Sequence, residues 1–292
     1  MTRIVRLPTD SFLPKKKPPY VDVFKLLPIF DQLAFNASLI TVGPKGIGKS
    51  MAVSYYAADK RRHIITFDCS EDVRRSHLIG NFTLQGNESP FVLGPIPLAY
   101  EIANETGYCI LNLEEINALS PQMQKLLNSS TDFRQRIEVP ECERVFELKP
   151  GAKLWVTGSM NTAVYGGVYQ LNEDLKSRVR MIPLDYPSDE REIVDSELRD
   201  KRITVDESII KKVLTLAVET RQKQIEYALS PRDVVQILED ISWVGPERAF
   251  WIASGKFDDQ DRKFFQDRVW TTFGFLLPGA TPPVQGKVAA KS

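Results

Sequence analysis

Apolar and polar positions along the chain fall into two regimes. In the first, short apolar runs alternate with stretches of helical period. "SLITVG" (38–43) reads as a buried strand and "KSMAVSYYAADKR" as a helix. "HIITFDC" (63–69) is a second strand, "IPLAYEIANETG" a helix closing at Gly107, and "YCILNLEE" (108–115) a third strand. "SPQMQKLLNSSTDF" opens with Ser120 as N-cap and Pro121 in the first helical position. "KLWVTGSM" (153–160) and "VRMIPL" (179–184) supply a fourth and a fifth strand. Strands alternating with helices predict an α/β fold, a doubly wound and mostly parallel sheet covered on both faces. In the second regime, from residue 188 to about 275, helix follows helix with no strong strand.

The flanks read differently. Residues 1–20 are rich in Pro and Lys and predict an extended arm. "VDVFKLLPIFDQLAFN" is apolar-periodic but interrupted by Pro28. The polar, turn-rich stretch 276–292 is expected to be disordered. The expected division is therefore an arm (1–20), an α/β domain (21–187), a small all-helical domain (188–275) and a tail (276–292).

Composition narrows the classes. Of 292 residues, 42% are hydrophobic and 26% charged, which suits a globular protein with a large core. Lys+Arg equals Asp+Glu, so no global positive field favours nucleic acid or a membrane surface. Three cysteines without a CxxC pair and two histidines, His63 and His77, argue against a His-rich metal site and for buried thiols in a reducing cytoplasm. No secretory signal and no membrane span are expected.

The chemistry concentrates in "ITVGPKGIGKS". Gly43, Pro44, Lys45, Gly46, Ile47, Gly48, Lys49 and Ser50 match G-x-x-x-x-G-K-[ST] in full, between a strand and a helix that begins with Ser50 and Met51. Glycines let backbone N–H groups turn toward phosphate oxygens, and the helix N-terminus adds partial positive charge. Lys49 suits the β- and γ-phosphates, and Ser50 offers a hydroxyl to Mg²⁺. The strand 108–115 ends in paired carboxylates, expected to lie at a strand end beside the loop's strand. Of the pair Glu114 and Glu115, one would support the metal shell and the other would polarise a water.

This order of parts, continued by "TGSMN", "LKSR" and "SPRD", resembles AAA+ ATPases. The finer wording is similar to the MoxR-like and dynein-related branch: "CSEDVRRSHLIG", "FVLGPIPLAYEIA", Glu115-Ile116-Asn117, Met160-Asn161 and "AVYGGVYQLNEDLKSR". The resemblance implies a P-loop α/β domain with a helical lid, ATP and Mg²⁺ as cofactors, and a homo-oligomeric ring, a hexamer by family habit. It implies that Asn161 is sensor 1, Arg178 an arginine finger supplied to a neighbour with Arg180 as rival, and Arg232 sensor 2. Arg180 is expected on the sheet face opposite Val179 and Met181. "RIEVPECERVFELKPG" and "NFTLQGNESPFVLG" would be a hairpin and a loop facing a pore or partner. The family's first acid is Asp where this chain has Glu114.

Three uses stay open. One is ATP-driven remodelling of a protein client, chaperone-like, with a separate von Willebrand factor A partner. A second is a nucleic-acid-associated motor of restriction type, with ATP or GTP. A third is a low-turnover nucleotide switch or structural ring. Six lid aromatics, Trp243, Phe250, Trp251, Phe264, Phe265 and Trp270, are expected to pack in the core.

Overall fold

The computed structural model describes residues 2–132, 134–162, 169–223 and 225–281. Chain contacts divide it into two compact units, Met1–Tyr186 and Pro187–Ser292.

The first unit contains, in order, β1 (Ile4–Val5), α1 (Leu26–Leu33), β2 (Ser38–Val42), α2 (Lys49–Asp59), β3 (His63–Asp68), α3 (Arg75–Ile79), β4 (Gly80–Phe82) and β5 (Phe91–Leu93). α4 (Pro95–Thr106), β6 (Tyr108–Glu114), α5 (Pro121–Thr131), β7 (Arg136–Val139), β8 (Arg144–Glu147), β9 (Lys153–Met160), α6 (Glu173–Arg178) and β10 (Val179–Pro183) follow. Five strands form one parallel sheet in the order β10-β2-β9-β6-β3. Side-chain alternation splits its neighbours between two faces. Ile40, Leu111, Leu154 and Val156 pack with α4 and α5 residues such as Ile96, Ala103 and Leu127. Leu39, Ile110 and Trp155 pack on the other face with Leu26 and Phe30 of α1 and Ala52, Val53 and Tyr56 of α2.

Trp155 anchors that second face. Its ring meets Phe30 at 5.3 Å and Tyr56 at 5.6 Å between centroids, and its indole N–H donates to Ala37 O at 3.1 Å. Truncation would leave a cavity and an orphaned carbonyl. Trp155→Ala is expected to lower unfolding stability by about 3–5 kcal/mol, read from urea melts.

The arm is more than extended chain. β1 pairs in parallel with β5, which pairs with β4 to make a three-stranded sheet, and Thr9–Phe12 forms a 3-10 turn. Pro28 does not interrupt α1, because it sits in the first turn, where no intrahelical N–H bond is lost. That turn is capped instead by Asp22, whose carboxylate accepts from Leu26 N and Leu27 N. The segment 136–147 forms the antiparallel β7–β8 hairpin.

The second unit is helical: α7 (Arg191–Asp200), α8 (Glu207–Gln222), α9 (Pro231–Val244), α10 (Pro246–Ser254) and α11 (Asp259–Phe273). Its core holds Val213, Leu216, Leu238, Phe250 and Phe265. The aromatic expectation is corrected in part. Phe250 and Phe265 are buried, but Trp243 is 69% and Trp251 53% exposed, since they fall on the faces of α9 and α10 away from the core. The tail is corrected at its start: Leu277 is buried in the same core and Ala280 packs on it. Residues 282–292 lie outside the described residues. No helix among the described residues is long and apolar enough to cross a membrane.

Candidate nucleotide site

The glycine-rich loop joins β2 to α2 at the C-terminal edge of the sheet. Its conformation explains its composition. Gly46 and Gly48 take φ of 77° and 92°, a region costly for other residues. Gly43 is required by close approach, since a Cβ there would lie 2.5 Å from Leu184 O. Gly43 N donates to Met160 O at 3.1 Å and Leu184 N to Val42 O at 2.7 Å, which fixes the loop's root to β9 and to the exit of β10.

Lys49 begins α2 and is 8% exposed. Its ammonium donates to Gly43 O at 2.7 Å, Pro44 O at 2.6 Å and Asn161 Oδ1 at 3.2 Å. Asn161 follows β9 directly and is 3% exposed. Asn117 Nδ2 donates to Asn161 O at 3.1 Å, and Glu115 N to Ser159 Oγ at 3.4 Å. The loop lysine, the amide after β9 and the turn after β6 thus form one bonded cluster. Ser50 and Met51 lie in the first turn of α2, half-buried, and Lys45 is exposed on the loop.

The strand order corrects one expectation. The acidic strand β6 is not beside β2, because β9 lies between them. Asn161 and Ser159 on β9 bridge that gap. Glu114 is half-buried and accepts from Asn112 Nδ2 at 3.3 Å. Glu115 is exposed, with φ of 52° in the left-handed region. Such a backbone costs on the order of 1 kcal/mol for a residue with a side chain. It ends the strand and turns the chain into the 3-10 segment Ile116–Ala118.

Cys69 closes β3 against these acids, its N–H donating to Glu114 O at 2.9 Å. Burial, with the charges of Asp68, Glu114 and Glu115, pushes its thiol up to about 12. It stays a thiol at neutral pH and is no nucleophile.

Two expected residues lie elsewhere. Arg178 ends α6, where β10 begins. Val179 pairs with Ser38 at the start of β2, so Arg178 is at the opposite edge of the sheet from the loop. The loop's first glycine is five residues along β2, about 16 Å away at the strand rise. The Arg178 guanidinium donates to Asp174 O at 2.7 Å. Arg180 is exposed on β10, on the face shared with Ile182. Arg232 is in the second unit, exposed in the first turn of α9. It does not pair with Asp233, which instead accepts from Ser230, Tyr227 and Lys256. The segment "AVYGGV" (163–168), expected to lead toward Arg178, lies outside the described residues.

Sequence reasoning gave no role to three neighbours. Asn117 is buried, and its Oδ1 has no donor among the described residues. Ser159 carries no motif beyond its place two residues before Asn161. Tyr20 comes within 3.6 Å of a Cβ built on Gly48, and no short pattern announces it.

As a donor set, the cluster suits a phosphate chain. It offers a buried ammonium, loop glycines opened to positive φ and a helix N-terminus.

Comparison with known proteins agrees. The family description "AAA domain (dynein-related subfamily)" matches residues 38–179. An uncharacterized protein of Staphylococcus saprophyticus is 28% identical over 228 residues, covering 74% of this chain and 82% of that one. Protein CbbQ of Hydrogenophilus thermoluteolus is 26% identical, covering 73% of this chain and 76% of its own. Protein NorQ of Paracoccus denitrificans is 26% identical, covering 56% and 59%. A solved structure from Cytophaga hutchinsonii covers 82% of this chain and 78% of its own at 16% identity, with a TM-score of 0.45, too low to add to the assignment. The glycine-rich loop, the acidic strand end, Asn161 and Arg178 all lie inside the matched segment, so residues 38–179 carry an AAA domain of the dynein-related type.

Proposed function

We propose that this chain is a MoxR-like ATPase that binds ATP with Mg²⁺ between the subunits of a cytoplasmic ring, a hexamer by family habit, and spends hydrolysis on remodelling a protein client. The observation that carries the reading is the bonded cluster of Lys49, Gly43, Pro44 and Asn161. A buried ammonium held by two carbonyls and an amide is ready to exchange those acceptors for phosphate oxygens. Lys49 then binds the β- and γ-phosphates, the loop N–H groups orient the chain, and Asn161 positions a water or the γ-phosphate. Ser50 and Glu114 would hold the shell of a bound Mg²⁺, and Glu115, exposed on a fixed turn, accepts a proton from the attacking water. Bound Mg²⁺ would neutralise charge that builds on the phosphate oxygens.

The ring part of the proposal rests on Arg178. Its place at the far edge of the sheet keeps it from its own loop, so a finger role requires a neighbour's nucleotide. A head-to-tail interface of that kind closes naturally into a ring. Its guanidinium is held by a backbone carbonyl of its own helix, a contact easily given up. Arg232 as sensor 2, a von Willebrand factor A partner and a protein client follow from the family resemblance. Three buried free thiols fit a reducing compartment.

The test is turnover per subunit against protein concentration, with ATP and GTP side by side. Specific activity should rise with concentration and plateau as rings form, with ATP preferred. Flat turnover well above background at every dilution would contradict a site completed by a neighbour.

A further inference from the structure

The N-terminal arm runs back along α2 and carries a charge feature that the neutral composition hides. Lys17 Nζ donates to Asp59 Oδ1 at 2.7 Å and lies 4.1 Å from the centre of the Tyr55 ring. Three residues later Tyr20 packs on Tyr55, with centroids 5.4 Å apart. The tract Lys15-Lys16-Lys17 therefore abuts the C-terminal end of α2, which continues directly into Lys60-Arg61-Arg62. Two basic triplets more than forty residues apart in sequence become one face.

The local balance is strongly positive. Asp59 pairs with Lys17, and Asp31 pairs with Lys60 at 2.8 Å. With Lys17 and Lys60 paired and Lys16 set aside, Lys15, Arg61 and Arg62 leave the face with an excess of about three positive charges. Beyond the patch, Asp10 and Glu105 face His63, and Glu105 is bonded to Arg6 and Thr9. Lys15, Lys16, Lys17, Lys60 and Arg61 are exposed. Pro14, Pro18 and Pro19 bracket the first triplet and limit the freedom it would lose on binding.

We propose that this face binds the phosphate backbone of a nucleic acid. The chemistry favours that polyanion. Lys17 covers the Tyr55 ring and Arg62 lies 3.8 Å over Tyr108, so the aromatic faces are taken and contact is with phosphates rather than stacked bases. A peptide interface would need apolar anchor pockets at its centre, and a membrane would need an amphipathic helix or acyl anchor. The patch is cations on an irregular segment and a helix end, a sequence-independent arrangement. It is also separate from the nucleotide loop, because α2 spans about 15 Å between Lys49 and Asp59.

The test is fluorescence anisotropy with a labelled 30-nucleotide single strand and a 30-base-pair duplex, against a polyglutamate peptide and phosphatidylserine vesicles. About three phosphates neutralised predict a roughly 40-fold loss of affinity between 50 and 200 mM salt. The double variant Lys15→Ala, Arg61→Ala should bind at least about tenfold more weakly and flatten the salt slope by about 2. Its turnover and thermal midpoint should stay unchanged, because both side chains are exposed and remote from the loop. No binding at 50 mM salt, equal binding by the variant, or tighter binding to polyglutamate or vesicles would overturn the proposal. Because the binding and salt readouts need no ATP, the proposal stands or falls apart from the proposed hydrolysis.

Discussion

Lys49→Ala is expected to weaken ATP binding by at least about 100-fold, in the range found when one partner of a buried charged contact is removed. The reasoning begins with desolvation. The ammonium is already buried, with Gly43 O, Pro44 O and Asn161 Oδ1 as its partners. Part of the cost of taking it out of water has therefore been met on folding, and triphosphate binding gains a charge-assisted contact at little further cost. Alanine removes the charge and leaves the loop carbonyls to solvent. The fold should survive, because the loop's root is fixed by backbone bonds from Gly43 to β9 and from Leu184 to β2. Titration with a fluorescent ATP analogue checks the affinity. A thermal melt with and without ATP checks the fold, and the variant should show a melt but no ligand-dependent shift. Affinity within threefold of the parent would remove Lys49 from the site.

The second large effect falls on chemistry rather than binding. Arg178→Ala is expected to lower turnover by about 10³-fold or more, the scale of a guanidinium that meets transition-state charge. ATP affinity should change little, since Arg178 lies at the other edge of the sheet from its own loop. Arg180→Ala is the control. Its side chain lies one residue into β10, on the face that Ile182 shares with the α1–α2 layer, and a small effect is expected. Lysine at 178 should not rescue, because an ammonium lacks the planar fork. A full loss with Arg180→Ala and none with Arg178→Ala would reverse the assignment.

Much of the fold was legible because it is written in local signals. The five strands of the main sheet, the Gly107 helix stop and Pro121 in the first turn of α5 follow from period, glycine and proline alone. The loop 43–50 was legible because its strand-glycine-helix context is local as well. Lateral order was not. Nothing near Glu114 says that β9 stands between its strand and the loop's strand, since that neighbourhood is set by how the crossovers wind. Partial exposure was also hidden. Trp243 and Trp251 have the composition of core residues, and only the packing of α9 on α10 decides that they face water. Pro28 misled because a proline costs a helix nothing in its first turn. The basic face was invisible for the same reason as the strand order: Lys15–Lys17 and Lys60–Arg62 meet only when the arm lies back along α2.

The central claim is that each catalytic site is assembled from two subunits, Glu115 from one and Arg178 from the next. Mixing two inactive variants tests it most directly. Glu115→Gln and Arg178→Ala should each be silent alone while still binding ATP. In an equimolar mixture, an Arg178→Ala subunit beside a Glu115→Gln subunit has one intact site, because the good acid and the good arginine face each other across that interface. Random head-to-tail assembly makes about one site in four complete, so turnover should recover toward roughly a quarter of the parent value. Mixtures that form rings yet stay silent at every ratio would show that Arg178 does not complete a neighbour's site.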